Sequence, residues 1–158
     1  MKRFVLSICL TVGISLFTAC SVSSVAPGPA VSGSLNGDWS DLGNVDVAIV
    51  GVTESLVTNL DNQFQAVDGN FTQTYSVALP TEAAAGVYKV IAFVDDNDND
   101  ELDLLEVRGN SGNKYLVFSS AARGNFAAGW NAVEGITGEP RSGLGFTGFD
   151  LKRARTPF

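Results

Sequence analysis

The amino-acid sequence predicts an all-β fold: a single antiparallel β-sandwich of about seven strands that carries one calcium-type loop. Short apolar runs alternate with turn residues along most of the chain, which is typical of antiparallel β-structure. The 17 glycines and the charged fraction of 17% fit a loop-rich β-protein better than a helical bundle. Residues 38–158 are long enough to form one domain with its own hydrophobic core.

The clearest strand candidate is Gly86–Val94, which is apolar on both faces apart from Lys89 and is therefore expected in the centre of the sheet. Asn70–Leu79 alternates apolar and polar residues. The segment Thr53–Val67 fits either a helix or a strand, and Asp68-Gly69 is a hairpin-type turn signal. The other predicted strands are Val45–Val52, Lys114–Ser119 and two weaker runs, Trp130–Ile136 and Leu144–Lys152.

The first 20 residues have the organisation of an export signal. A basic start, Met1-Lys2-Arg3, precedes the apolar run Phe4–Ala19, whose 16 residues are fewer than the roughly 20 of a membrane-spanning helix. The run ends in small residues followed by Cys20. This ending resembles the lipobox of bacterial lipoproteins, which implies removal of residues 1–19 as a signal peptide and lipidation of Cys20. The alternatives are an uncleaved anchor and ordinary secretion with cleavage after Ala19.

Residues 20–37 are predicted to form the lipidated cysteine and a flexible tether. The stretch Ser21–Gly37 is uncharged and rich in Ser, Pro, Gly and Ala, so it offers little apolar surface to bury. Two acyl chains on Cys20 would hold the protein stably at a membrane. The predicted location is therefore exported and lipid-anchored, at the outer membrane and periplasm or at the cell surface.

The composition excludes several classes of function. The formal net charge is −7, and loss of Lys2 and Arg3 with the signal peptide would give −9, which disfavours binding to nucleic acid. There is no histidine, so catalytic groupings and zinc or copper sites that need an imidazole are excluded. The two cysteines are Cys9 and Cys20, so the mature domain has no internal disulfide and any metal must be bound by oxygen.

The most specific chemical feature is an acidic loop from Asp95 to Glu106. Seven of the 17 acidic residues lie in these 12 positions, and Ca²⁺ takes about six to eight oxygen ligands from such loops. The register that starts at Asp95 predicts six ligands, at positions 1, 3, 5, 7, 9 and 12. They are Asp95, Asn97, Asn99, the Glu101 carbonyl, Asp103 and Glu106.

The same register assigns two further positions in this loop. Leu102 falls where calcium loops direct an apolar side chain into the core, and Asp100 falls where EF-hand loops have a left-handed glycine. A register that starts at Asp96 is worse because it places Asp103 at the apolar position. The loop resembles the calcium loops of dockerin-like and β-sandwich proteins, which implies a structural Ca²⁺. The alternative interpretation is a solvated acidic turn.

A second resemblance concerns the strand before this loop. The chain has Leu79-Pro80, then a gap, and then a strand that leads into the acidic loop. The residues that match are Leu79, Pro80, Gly86, Tyr88, Val90, Ala92, Phe93 and Asp95. This order resembles bacterial transthyretin-like or carboxypeptidase-regulatory-like modules, which implies a β-sandwich with an extracellular accessory role and no catalytic activity.

The predicted function is that of a lipid-anchored, calcium-stabilised cell-envelope protein with a structural or binding role, as an accessory subunit of an outer-membrane or surface-layer assembly. Its expected partners are the membrane and an envelope or surface protein. One alternative is a carbohydrate- or peptide-binding module with an exposed platform built from Trp39 or Trp130. The other is a hydrolase with paired carboxylates, although no catalytic constellation is recognisable and the chain is not expected to be an enzyme.

Two further motifs lie near the end of the chain. Gly143–Gly148 matches the dinucleotide pattern G-x-G-x-x-G, but no βαβ unit surrounds it and no acidic residue follows at the ribose-binding distance, so no nucleotide is expected. A basic tail of Lys152, Arg153 and Arg155 is opposite in sign to the rest of the chain. It is either solvated or in contact with the anionic loop of a neighbouring molecule.

Overall fold

The computed structural model describes residues 29–37, 39, 44–53, 58–68, 74–106, 108–135 and 145–153, and these contain nine β-strands and no helix. The all-β prediction is therefore confirmed. The strands are β1 Ala30–Asn36, β2 Val45–Val52, β3 Thr58–Asp68, β4 Thr74–Ala78, β5 Gly86–Val94, β6 Arg108–Asn110, β7 Lys114–Ser119, β8 Gly129–Glu134 and β9 Leu151–Arg153.

Several predicted features lie outside the described residues. They are the leader with Cys20, Gly69 of the predicted turn, Ile136 and Leu144 at the ends of predicted strands, and Arg155 of the basic tail. Within the described part of the chain, no helix is long and apolar enough to cross a membrane.

Strand β5 lies in the centre of the sheet, as its sequence predicts. It pairs with β2 along its whole length, from Val45 opposite Val94 to Val52 opposite Val87. Its other edge is shared, since β7 pairs with its first part and β6 with its second part. A strand with neighbours on both edges and cover on both faces has to be apolar on both faces, and β5 meets this requirement.

The sheet is mixed and curled. Its strand order is β3-β2-β5-β6-β9-β1-β4, with the β7–β8 hairpin attached to β5. All pairs of strands are antiparallel except β1 and β9, which run parallel, with Leu35 opposite Leu151. Strand β4 also lies against β2 and β3, so the sheet curls back on itself. The prediction of a purely antiparallel sandwich is therefore corrected to a mixed, curled sheet.

Part of the predicted tether belongs to the domain. Residues Ala30–Asn36 form β1, which pairs with β4 on one edge and β9 on the other, and the Val31 side chain is fully buried. The Asp150 carboxylate holds the strand by accepting hydrogen bonds from the Ser34 backbone N–H at 3.0 Å and the Ser34 hydroxyl at 2.6 Å. Composition alone missed this strand because its pairing partners, β4 and β9, lie far from it in the sequence.

The remaining strands refine the sequence predictions. The ambiguous segment Thr53–Val67 contains all of β3 except its last residue, Asp68, and β3 pairs with β2 through two register shifts. Strand β9 shares only Leu151 and Lys152 with the run predicted over Leu144–Lys152, and β6 was not predicted at all. Both are three-residue strands, too short to show a period of two in the sequence.

Two clusters of apolar side chains lie on opposite faces of the sheet. In β2, Val47 and Ile49 belong to the larger inner cluster, whereas Ala48 and Val50 belong to an outer cluster. Side chains alternate between faces along a strand, so the continuous apolar sequence of β2 is explained by cover on both sides. The outer cluster comprises Ala48, Val50, Ile91, Phe93 and Leu102, with the partly buried Leu60 packed against it.

The close approach of β1 to the segment before β9 gives a test of the corrected domain boundary. A Cβ added at Gly33 would lie 2.4 Å from the Phe149 carbonyl oxygen, a backbone atom that has little freedom to move. We therefore expect Gly33→Ala to lower the free energy of unfolding by about 1–3 kcal/mol in denaturant titrations.

The matched control is Gly86→Ala, also in a strand, where an added Cβ has no neighbour within 4 Å. It should change the free energy of unfolding by no more than about 0.5 kcal/mol. Equal stability of the two variants would show that β1 does not pack as described.

Candidate metal centre

The acidic loop lies between β5 and β6 and is attached to the outer face of the sheet by Leu102. This side chain is fully buried in the outer cluster. Its backbone is held by the Gln63 side chain of β3, whose Oε1 accepts the Leu102 N–H at 2.9 Å and whose Nε2 donates to the Leu102 carbonyl at 3.4 Å. The structure thus places Leu102 in the core, as the Asp95 register predicts.

The loop folds around the carboxylate of Asp95. Asp95 Oδ1 accepts the backbone N–H groups of Asn97 at 3.3 Å and Asn99 at 3.2 Å, and Oδ2 accepts that of Asp100 at 2.9 Å. Burial by itself would raise the pKa of Asp95, but these hydrogen bonds outweigh it and hold the pKa below its usual value. Asp95 therefore stays ionised, and it is 7% exposed.

Two residues of the loop adopt the left-handed backbone conformation. Asp98 has φ +55° and Asp100 has φ +57°, and they are the only non-glycine residues with positive φ among those described. This conformation costs less for aspartate than for most residues other than glycine. Asp100 occupies the sixth loop position, where the Asp95 register requires this turn.

Three of the other predicted ligands are joined to one another by hydrogen bonds. Asp103 Oδ2 accepts hydrogen bonds from the side-chain amides of Asn97 at 2.8 Å and Asn99 at 3.1 Å. The nitrogen of each side-chain amide thus faces the Asp103 carboxylate. Rotation of either amide group by a half-turn would place its oxygen there instead. Glu101 is exposed, and its N–H donates to Asn99 Oδ1 at 2.8 Å.

Glu106 closes the loop from its far end. It is 8% exposed, and its two carboxylate oxygens accept the backbone N–H groups of Asp96 at 3.3 Å and Asp103 at 2.7 Å. Burial raises the pKa of Glu106, and the nearby charges of Asp103 and Asp95 raise it further, so the two N–H groups offset these effects only in part. A cation beside these three carboxylates would favour the ionised form of Glu106.

Sequence reasoning gave no ligand role to two acidic side chains at this site, Asp46 of β2 and Asp100 of the loop. Asp46 is 3% exposed, and one carboxylate oxygen from each of Asp46, Asp95 and Asp100 lies within 4.8 Å of the other two. We call these three residues the acidic triad; of the predicted ligands, it contains only Asp95. Among the described residues it is the one group of three or more acidic side chains that lies so close together.

The pairing of β2 with β5 brings Asp46 to the loop. Asp46 lies opposite Phe93, and the Asp95 N–H donates to the Asn44 carbonyl at 3.1 Å, so the start of β2 runs beside the start of the loop. The available sequence signal was a single aspartate within the apolar strand Val45–Val52. Such a residue is buried at a cost unless a partner compensates its charge.

The two tryptophans do not form an exposed platform. Trp39 is 6% and Trp130 is 9% exposed, and both belong to the inner cluster. Trp130 packs edge-on against Tyr88, with ring centroids 4.9 Å apart, and its indole N–H donates to the Pro80 carbonyl at 2.7 Å. The alternative of a carbohydrate- or peptide-binding module thus loses the residues proposed for it.

Comparison of the chain with protein-family models, with curated proteins and with solved structures found no match. Proposals about its function therefore rest on its own residues and on their geometry.

Attachment of the loop through Leu102 can be tested by stability measurements. We expect Leu102→Ala to lower the free energy of unfolding by about 2–5 kcal/mol, since it removes a fully buried side chain and leaves a cavity over Phe93. Leu105→Ala is the matched control, because the Leu105 side chain is 93% exposed. The control should stay within about 0.5 kcal/mol of the parent chain in denaturant titrations at low protein concentration. A similar loss in both variants would contradict the described packing of Leu102.

Proposed function

We propose that this chain is a lipid-anchored, calcium-stabilised protein of the bacterial cell envelope with a structural or binding role. The observation that carries the calcium part is the acidic triad, in which Asp46 and Asp95 are buried and Asp100 is exposed. The export signal and Cys20 carry the lipid anchor.

Electrostatics supports a cation at the triad. Two ionised carboxylates 4.8 Å apart repel each other by about 3 kcal/mol at the effective dielectric constant of about 20 that suits protein sites. The repulsion is hard to relieve by solvation because Asp46 and Asp95 are both buried. A divalent cation among the three carboxylates would offset these repulsions by its attraction to each of them, and Asp95 Oδ2, which accepts one N–H, retains a lone pair for it.

The chemistry of the donors favours calcium. The mature chain has no histidine and no cysteine beyond Cys20, so only hard oxygen ligands are available in the domain. Mg²⁺ demands a near-ideal octahedron and keeps several waters, whereas Ca²⁺ accepts irregular sets of carboxylate, carbonyl and water oxygens. A ligand set divided between one strand, with Asp46, and one loop, with Asp95 and Asp100, suits the more flexible coordination of Ca²⁺.

We place the cation among the carboxylate oxygens of Asp46, Asp95 and Asp100. These oxygens already lie close together, whereas the amides of Asn97 and Asn99 donate hydrogen bonds to Asp103. The second arrangement, with Asp95, Asn97, Asn99, the Glu101 carbonyl, Asp103 and Glu106 as ligands, needs both amides to turn. Asp95 belongs to both ligand sets.

A cation in this position would be structural. It would join the start of β2, through Asp46, to the loop that follows β5, through Asp95 and Asp100. A dissociation constant of about 10⁻⁴–10⁻³ M suffices for an extracellular module, where calcium is abundant. No substrate is required for this role, and the acidic group that the described residues bring together is explained by a metal without catalysis.

The lipid anchor would leave the domain close to the membrane. Strand β1 begins at Ala30, so nine residues, Ser21–Pro29, separate it from Cys20. Fully extended, these residues reach about 30 Å. The proposed partner is another envelope or surface protein within this distance of the membrane.

Calcium binding is tested by calorimetry on residues 21–158, which include every residue that the structure describes. We expect Asp46→Asn to weaken Ca²⁺ binding at least about tenfold, because it removes one charged ligand. At calcium about 100-fold above the dissociation constant, the parent chain should gain about 2.7 kcal/mol of stability, visible as a raised melting temperature that a chelator reverses.

Two variants in the same loop make this test specific. Asp103→Asn removes a ligand of the second arrangement only, and Asp96→Asn removes an exposed charge that belongs to neither ligand set. Binding weakened by Asp103→Asn but not by Asp46→Asn would assign the cation to the second arrangement. An equal effect of Asp96→Asn, or no heat at millimolar calcium, would reduce the loop to a charged turn.

Lipidation is tested on the full chain in a bacterial host fed with radiolabelled palmitate. The parent chain and Cys9→Ser should incorporate the label, because Cys9 lies in the segment that is removed, whereas Cys20→Ser should not. Fractionation should then find the parent chain in the membranes. Labelling that persists in Cys20→Ser, or a mature N-terminus other than residue 20, would refute the lipoprotein assignment.

A further inference from the structure

Two adjacent leucines on the acidic loop are exposed to solvent. Leu104 is 74% and Leu105 is 93% exposed, and among the described residues they are the only large hydrophobic side chains classed as exposed. Together they line a surface depression with Asp96, Asn97, Asp103 and Glu106. We call these six residues the leucine patch. Since Leu102 already attaches the loop to the core, the fold does not require an apolar residue at either position.

The backbone of the leucine patch is held in place. The Arg108 guanidinium donates to the Asp103 carbonyl at 2.9 Å and to the Leu104 carbonyl at 2.6 Å. From the other side, Glu106 accepts the Asp103 N–H at 2.7 Å. An apolar group on a turn fixed in this way loses little conformational freedom when a partner covers it.

Basic side chains lie on the same face of the sheet as the patch. Phe93 and Ile91 belong to the outer cluster, and they pair with Arg108 and Asn110 respectively. Asn110 in turn pairs with Lys152 of β9. Directly paired residues share a face, so Arg108 and the exposed Lys152 lie on the face that the acidic loop covers.

This arrangement is self-complementary. In a two-fold symmetric interface the same surface is used by both subunits, so it must carry both members of each contact. Here one face carries an acidic loop, an apolar pair and the basic side chains of Arg108 and Lys152. A second copy turned through a half-rotation can place leucines against leucines and each acidic loop against Lys152 of the other copy.

A lipid surface is the other occupant of an exposed leucine pair, and two observations disfavour it. Anionic head groups repel a loop with seven acidic residues in 12 positions. In addition, β1 and β9 run parallel and β6 antiparallel to them, so β1 ends at the loop end of the sheet and begins at the opposite end. The tether proposed above therefore enters the domain away from the patch.

We propose that the leucine patch is the docking surface for a second copy of this chain, in a two-fold dimer that also uses Lys152. The leucine pairs form the apolar centre of the interface, and the contacts between acidic loop and β9 form its charged rim. Anchoring on a membrane would raise the local concentration of copies and so strengthen a weak interface. The dimer does not depend on the proposed cation.

The test is sedimentation velocity of residues 21–158 over a concentration series from micromolar to millimolar, at low salt. We expect concentration-dependent dimerisation, lost in the double variant Leu104→Ser/Leu105→Ser and retained in Leu104→Met/Leu105→Met. Both variants should keep the melting temperature of the dilute parent chain, which shows that they are folded. A monomeric parent at millimolar concentration, or a dimer that persists in the serine variant, overturns the proposal.

A charge exchange tests the symmetry of the interface. Asp96→Lys and Lys152→Glu should each weaken the homodimer roughly tenfold, because each places like charges opposite each other twice. An equimolar mixture of the two variants should restore dimers, since attraction returns at both contacts of the mixed pair. Failure of the mixture to recover overturns the proposed geometry.

Two further measurements separate this proposal from its competitors. Leucine-dependent binding of the parent chain to phosphatidylglycerol vesicles, without self-association, would assign the patch to lipid and overturn the dimer. Calcium calorimetry on the serine variant should give the parent affinity. If the parent chain dimerises but does not bind calcium, the proposed cation site is refuted and the proposed dimer is not.

Discussion

The structure depends on one constraint: both faces of β5 have to be covered. Its inner residues face the curled sheet, where β1, β4 and β8 complete the inner cluster. Its outer residues, Ile91 and Phe93, are covered by Leu102 and Leu60 in the part of the chain that the structure describes. The acidic loop therefore covers the outer cluster through Leu102, so a highly charged segment is packed against an apolar surface.

This attachment explains why unusual local features concentrate in the loop. The buried Leu102 side chain holds the turn against the sheet, and Asp98 and Asp100 adopt the left-handed conformation in this turn. It also leaves the Asp95 carboxylate nearly buried, beside Asp46 of the neighbouring strand. Left-handed non-glycine residues, buried carboxylates and closely spaced like charges each destabilise a fold. Such features tend to occur together at functional sites.

The direction of the strands gives the domain two distinct ends. Strand β1 begins at the end opposite the acidic loop, and β9 ends beside it, as the pairing of Gly109 with Arg153 requires. A lipid attached through the tether and the charged loop would therefore act at opposite ends of the sheet. With a lipid on the tether, as proposed, the candidate metal centre and the leucine patch would lie at the end of the sheet away from the membrane.

The sequence by itself determined the local features. The bounds of β2, β5 and β7 agree with the predicted strands, and the Asp95 register correctly assigned the buried Leu102 and the left-handed Asp100. The strand bounds, the burial of Leu102 and the conformation of Asp100 all depend on side-chain alternation or turn chemistry within a few consecutive residues. Such local patterns can be recognised in the sequence itself.

The tertiary structure alone decided which distant segments meet. In the folded chain, part of the predicted tether forms β1, and Trp130 is buried against Tyr88. Asp46 lies close to Asp95, although 49 positions of sequence separate them. These contacts arise from strand pairing between segments far apart in the chain, and the free energy of such pairing depends on the partner as much as on the residue. A local pattern contains only one of the two partners, which is why the acidic triad became visible only in the folded protein.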